Sequence, residues 1–191
     1  MPTVLHIKNM VCPRCIETVD GVFSAMDFEV RDIKLGKVEI NKEPTGKQLQ
    51  ELSELLLEKG FELLIDKKSK IINQVKAEII SLIHHQKNEI LPVNLSEHLS
   101  KLIGADYSSI SHLFSSEEEI TIEKFVIKQK IERVKELLSY GELTTSEIAF
   151  STGYSSVAHL SSQFKKETGM TPGQFRNLKN KERKSLDQIG N

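Results

Sequence analysis

A duplication in the second half of the chain narrows what that half can fold into. Laying Phe114 on Phe164 brings Ile110 onto Leu160, Ile120 onto Met170, Thr121 onto Thr171 and Phe125 onto Phe175. Matching character at several positions points to two copies of one supersecondary unit rather than to a chance aromatic spacing. Each copy reads as helix, tight turn, helix. In the first, residues 95–103 end at Gly104, and Asp106 opens a second helix running through Ser115. In the second, residues 145–150 end near Gly153, and Ser155 or Ser156 opens a helix to Glu167. Between them the spacing predicts a longer helix over residues 122–138, with Phe125, Val126, Ile131, Val134, Leu137 and Leu138 apolar. A helix over residues 69–85, apolar at Ile71, Ile72, Val75, Ile79, Ile80 and Ile83, is expected to open this all-α module. Glu119 stands where the second copy has Gly169, so the first copy's helix is expected to end without a left-handed glycine.

Two such copies, with Ile148-Ala149, Gly153-Tyr154, Phe164, Gly169, Thr171-Pro172 and Phe175-Arg176 in the second, resemble the DNA-binding domain of the AraC family of transcription regulators over residues 69–179. The resemblance implies that the second helix of each copy enters the major groove of double-stranded DNA, the pair lying roughly one helical turn, about 34 Å, apart. Carried over position by position, the reading residues are Tyr107, Ser108, Ser111 and His112 in the first copy and Val157, Ala158, Ser161 and Ser162 in the second. None is an arginine suited to bidentate guanine contact, so hydroxyls and apolar contact with thymine methyl groups are expected to carry the readout. Lys165, Lys166, Arg176 and Lys179 suit phosphates instead. His159 either contacts DNA or packs locally. The resemblance also admits RNA polymerase as a partner.

The N-terminal part has a different chemistry. Val4-Leu5-His6-Ile7 reads as a strand, and Ile16, Val19, Val22, Phe23 and Met26 recur at helical spacing. Residues 29–35 and 37–40 alternate around Gly36 as a hairpin would, residues 48–59 form a helix with a leucine stripe stopped by Gly60, and residues 61–65 close with a strand. The order is βαββαβ, a ferredoxin-like sandwich in an α+β chain. Between first strand and first helix stands Met10-Val11-Cys12-Pro13-Arg14-Cys15. That placement resembles the heavy-metal-associated domains of copper chaperones and metal-transporting ATPases, over residues 3–66. It implies that Cys12 and Cys15 hold a soft metal ion, Cu(I) first, since two thiolates satisfy cuprous copper whereas zinc needs about two further ligands. One ion shared by two such loops would give a metal-bridged homodimer. Met10 resembles the methionine packed beneath the loop, and Phe61 after Gly60 the pair that closes over it. Asn9 replaces the usual glycine. The first helical turn is expected to favour thiolate at Cys15. A glutaredoxin also carries Cys-Pro-x-Cys, but needs a later proline before a strand; Pro44, the only later one here, sits beside Thr45-Gly46 at a helix start.

These readings divide the 191 residues into domains at 1–67 and 68–191. Residues 1–66 hold 8 Lys and Arg against 12 Asp and Glu, the remainder 18 against 15, an asymmetry that favours the helical half as the DNA partner. Both cysteines sit in one motif, so a reducing compartment suits them. No apolar run approaches the roughly 18–20 residues of a membrane span and no signal peptide opens the chain, so no membrane partner and a cytoplasmic location are expected. No phosphate-binding glycine loop or nucleophile elbow is present, which argues against an enzyme. His84 and His85 are expected to face a helix end or solvent, and Lys181-Glu182-Arg183-Lys184 to be a solvated tail. Together these features predict a regulator whose DNA binding responds to a soft metal. The alternatives are a metal-trafficking or docking protein without DNA binding, and a regulator with a redox-sensing dithiol.

Overall fold

Alternation along strand β1 (Thr3–Lys8) sends Leu5 and Ile7 to one face of a four-stranded sheet and His6 to the other. The computed structural model describes residues 2–85, 94–178 and 183–189. After β1 come helix α1 (Pro13–Ala25), strands β2 (Val30–Lys34) and β3 (Lys37–Ile40), helix α2 (Gly46–Glu58) and strand β4 (Glu62–Leu64). The expected βαββαβ order is therefore present. The sheet runs β2-β3-β1-β4, every pairing antiparallel, with Thr3 opposite Ile40 and His6 opposite Leu64. Ile7, Val38, Ile40 and Leu63 from the strands pack with Val19, Val22 and Phe23 of α1 and Leu52 and Leu56 of α2 in one core. Thr45 and Gln48 form a reciprocal capping box that starts α2.

The chain parts into compact units at Met1–Ser81 and Leu82–Asn191, not at 67/68. The reason is helix α3 (Lys67–Ile80), which was expected to open the helical module. Asp66 caps it immediately after β4, accepting from the Ser69 amide at 2.9 Å. One turn further on, the buried Asn73 donates through Nδ2 to the carbonyls of Ile7 and Gly36, each at 3.1 Å. A buried amide requires such partners, and here both belong to the sheet. Gly36 makes the approach feasible: its φ is +80°, and a Cβ there would lie 2.8 Å from Asn73 Nδ2 and 3.0 Å from the Ala77 Cβ. Moving Lys67, Lys68, Lys70, Lys76 and Glu78 across the boundary removes the charge asymmetry: the first unit holds 12 basic and 13 acidic residues, the second 14 of each.

In the second unit, helices α4 (Leu95–Ile103) and α5 (Tyr107–Glu118) make the first copy, α6 (Ile122–Tyr140) joins, and α7 (Thr145–Ser151) and α8 (Val157–Thr168) make the second, followed by α9 (Pro172–Arg176). The duplication extends to the caps. Asn94 and Thr144 accept from the amides of Glu97 and Glu147, Asp106 and Ser156 from those of Ser109 and His159, and Thr121 and Thr171 from those of Lys124 and Gln174. Each copy closes with an edge-on aromatic pair, Phe114 with Phe125 and Phe164 with Phe175, at 5.7 and 5.6 Å. Glu119 keeps the left-handed ending of its counterpart Gly169, with φ of 57° against 79°. The helix end is thus conserved in shape without its glycine.

His84, in the π-helical turn Ser81–His85, faces neither solvent nor a helix end. It is half-buried, with Nε2 2.9 Å from Oε1 of the fully buried Gln129, and this burial drives its pKa down to about 4, the bond to Gln129 opposing. Arg183 and Lys184 have exposed side chains, as expected of a solvated run, although the Lys184 amide donates to Glu132 at 3.1 Å; beyond the run, Gln129 Nε2 donates to the Leu186 carbonyl at 3.4 Å and Ile189 is buried. Lys179, Lys181 and Glu182 lie outside the described residues. Among the described residues no helix is long and apolar enough to cross a membrane.

Candidate nucleic-acid interface and dithiol loop

Helix α5 gathers Tyr107, Ser108, Ser111 and His112 along one stripe, at spacings of three and four residues. Ser115 and Ser116 continue it, and the six line an open groove of about 610 Å³. The sequence reading missed these two serines, although the same periodicity leads to them from Ser111 and His112. Ile110 and Phe114, on the other side of the helix, are buried. The groove therefore presents hydroxyls, an imidazole and a phenol, with no fixed cation. Tyr107 is half-buried and its hydroxyl donates to Glu123 Oε1 at 2.6 Å.

Helix α8 shows the corresponding stripe. Val157, Ala158 and Ser162 are exposed and Ser161 half-buried, while Leu160 and Phe164 are in the core with Ile148, Tyr154 and Phe175. Lys165 and Lys166 are exposed in the last turn, where the helix dipole also favours cations. His159 packs locally: its ring meets that of Tyr154 edge-on at 5.3 Å, and its Nδ1 lies 3.1 Å from Ser155 Oγ. Arg176 leaves the expected phosphate set. One guanidinium nitrogen donates to the Leu143 carbonyl at 2.8 Å and Nε is buried, so the side chain ties α9 to the turn before α7. Two cations of α6 are likewise engaged internally: Lys124 pairs with Glu167 of α8 at 2.6 Å, and Lys130 lies 5.2 Å from the centre of the Tyr154 ring.

In the other unit the loop between β1 and α1 is set by its backbone. Asn9 occupies the left-handed region at φ 71°, which asparagine tolerates better than other side-chain-bearing residues, and its Nδ2 donates to the Gly60 carbonyl at 3.0 Å. Met10 is buried beneath, in the same core cluster as Phe61. Cys12 is the N-cap of α1 with Pro13 at its first position, and Cys15 lies one turn in. Their Sγ atoms are 3.2 Å apart. Cys15 does not show the expected lowering: burial pushes its thiol up, outweighing the backbone amides that favour thiolate, and the neighbouring Cys12 adds to the rise. Among the described residues no third His, Cys, Asp or Glu joins them in a metal-binding cluster, so the donor set matches a two-coordinate soft ion and leaves zinc undersupplied.

The two short helices crossing ahead of α5 and of α8, each with its own cap, define the class: residues 99–178 match the family described as Helix-turn-helix domain. The chain is 34% identical over 80 residues to an uncharacterized HTH-type transcriptional regulator, YdiP, of Escherichia coli, covering 42% of this chain and 26% of that protein. It is 38% identical over 69 residues to the xylose operon regulatory protein of Haemophilus influenzae, covering 36% of this chain and 18% of that protein. The C-terminal domain of AraT, a response regulator from Geobacillus stearothermophilus, superposes with a TM-score of 0.48 at 26% identity, over 63% of this chain and 92% of that domain. This chain thus spans about a quarter or less of the length of the two curated relatives it resembles.

Proposed function

We propose that this protein is a sequence-specific DNA-binding transcription regulator of the AraC family whose operator affinity responds to a soft metal ion held by Cys12 and Cys15. The observation that carries the first half is the paired presentation of α5 and α8: two equivalent, capped helices, each with its apolar side in the core and a short polar stripe outside. A neutral helical unit draws its phosphate affinity from local cations, and Lys165 and Lys166 supply them at the end of α8. The second half rests on the heavy-metal-associated resemblance of the first unit, with its ferredoxin-like strand order, its buried Met10 and its facing thiols. Cys12 and Cys15 would hold the ion, Cu(I) before zinc. Because the ion must favour one of two DNA-binding states to regulate, tight binding alone is insufficient.

The 3.2 Å separation of the two sulfurs also supports a second reading, in which oxidation joins them and acts as the signal. One experiment on the full chain separates these. Duplexes bound from a random library are selected, and affinity for the enriched site is measured by fluorescence anisotropy across a salt series, with Cu(I), Zn(II) or neither under reducing conditions, and after air oxidation. The regulator reading expects an enriched motif whose affinity shifts several-fold with Cu(I) and does not shift in Cys12→Ser/Cys15→Ser. Lys165→Ala/Lys166→Ala should weaken binding on every sequence and reduce the salt slope by about 2. A shift seen only on oxidation favours the redox reading. No enriched motif and no binding at low salt would leave a metal-trafficking or docking protein.

A further inference from the structure

Tyr107 opens α5 at the mouth of the groove, and Glu123 stands in the first turn of α6. The phenol donates to Glu123 Oε1 at 2.6 Å, the length of a charge-assisted O–H···O⁻ bond. The second copy has no equivalent, because Val157 and Gly173 hold the corresponding positions. The pair is therefore a property of one recognition helix and not of the shared fold. From this contact and the groove it borders, we infer that Glu123 is a positioning residue that makes Tyr107 an acceptor-only reader of the exocyclic amino group of adenine or cytosine in the major groove.

The argument is one of donor and acceptor arithmetic. A free phenol both donates and accepts, and so meets base carbonyls and amino groups alike. With its proton committed to a carboxylate, the Tyr107 oxygen retains only lone pairs. In the major groove, adenine N6 and cytosine N4 donate, whereas guanine O6 and thymine O4 accept and would be left facing an oxygen with nothing to give. The protonation states are consistent with this. The hydroxyl keeps its proton because burial, and then the bond to Glu123, push its pKa well above the ordinary phenol range, and the same bond holds Glu123 below the ordinary carboxylate range. Glu123 does not itself line the groove.

This inference rests on α5 facing DNA, and the test keeps the two apart. Full-length wild type, Tyr107→Phe, Glu123→Ala and Glu123→Gln are each used to select bound sites from a random duplex library. Wild type should enrich adenine or cytosine over guanine or thymine at one position by about five-fold, the worth of one hydrogen bond. Tyr107→Phe and Glu123→Ala should each flatten that position only, and combining them should change nothing further. Glu123→Gln, whose amide oxygen still accepts from the phenol, should restore the preference. Failure of wild type to enrich any motif would remove the premise that α5 reads sequence. An enriched motif that stays the same in Tyr107→Phe, which removes a single oxygen and leaves the ring packed, would overturn the inference, and so would loss in Tyr107→Phe with full retention in Glu123→Ala.

Discussion

Exchanging the ends of helices α5 and α8 should move stability in opposite directions. Glu119 terminates α5 in the left-handed region at φ 57° and ψ 10°, where an L-residue carries roughly 1–2 kcal/mol of strain. Its carboxylate also sits at the negative end of the helix dipole, worth roughly 0.3–1 kcal/mol. Glycine in its place would relieve both and cost about 0.4–1 kcal/mol through the greater freedom of the unfolded chain. The balance favours Glu119→Gly by about 1 kcal/mol. The converse change has a clean geometry: a Cβ at Gly169 would meet nothing within 4 Å, so Gly169→Ala adds backbone strain without a clash and should destabilise by about 1 kcal/mol. For a helical unit of this size such a change displaces the midpoint by about 4 °C. Thermal unfolding followed by far-ultraviolet circular dichroism would read both variants against wild type. If Glu119→Gly lowered the midpoint, the carboxylate would be contributing more than its conformation costs, and the strain argument would fail.

Two further outcomes concern buried contacts. The folded pKa of His84, about 4, lies below the 6.5 of a free imidazole, so the unfolded chain takes up the proton first; stability is complete above pH 6.5 and is lost as pH falls toward 4, by about 3 kcal/mol. Urea unfolding midpoints at pH 7 and pH 4.5 should show this loss in wild type and a smaller one in His84→Gln; equal losses would disprove the assignment. Gly36→Ala forces a Cβ to 2.8 Å from Asn73 Nδ2 at a positive φ and should destabilise the first unit by about 2–3 kcal/mol, read as a lower temperature for its melting transition.

Much of the helical half was legible because its signals are local. Capping residues, the aromatic spacing and the apolar periods each refer to neighbours within a few turns, and two copies repeat the message. Helix α3 was misassigned for the opposite reason. Its isoleucines state that a face is buried without naming the partner, and the contacts that decide it, Asn73 with the carbonyls of Ile7 and Gly36, span 66 and 37 residues of chain. The charge asymmetry that favoured the helical half as the DNA partner was carried by that helix's own lysines. In the dithiol loop, spacing announced the pair and its place at a helix start, and a left-handed Asn9 could be anticipated from the glycine it replaces. The rise in the Cys15 pKa could not, because it depends on how deeply the sulfur sits in a core assembled from distant strands. Arg176 was misread similarly: a basic residue at a helix end looks available until the carbonyl of Leu143 is found within its reach.

The seam at 81/82 has a consequence for grafting the first unit onto another chain. A graft severed after Asp66 would strip the sheet of the Asn73 amide, costing the Ile7 carbonyl that donor and leaving the Gly36 carbonyl to the Ile7 amide alone, and the dithiol module would be weaker than the one it came from. Severed after Ser81, the same module would travel with its third helix and four of its lysines, and the helical remainder would arrive in a new host electrically neutral. Under the proposed function, any chimera would then draw its phosphate affinity from a few side chains on α8 rather than from the bulk charge of either parent.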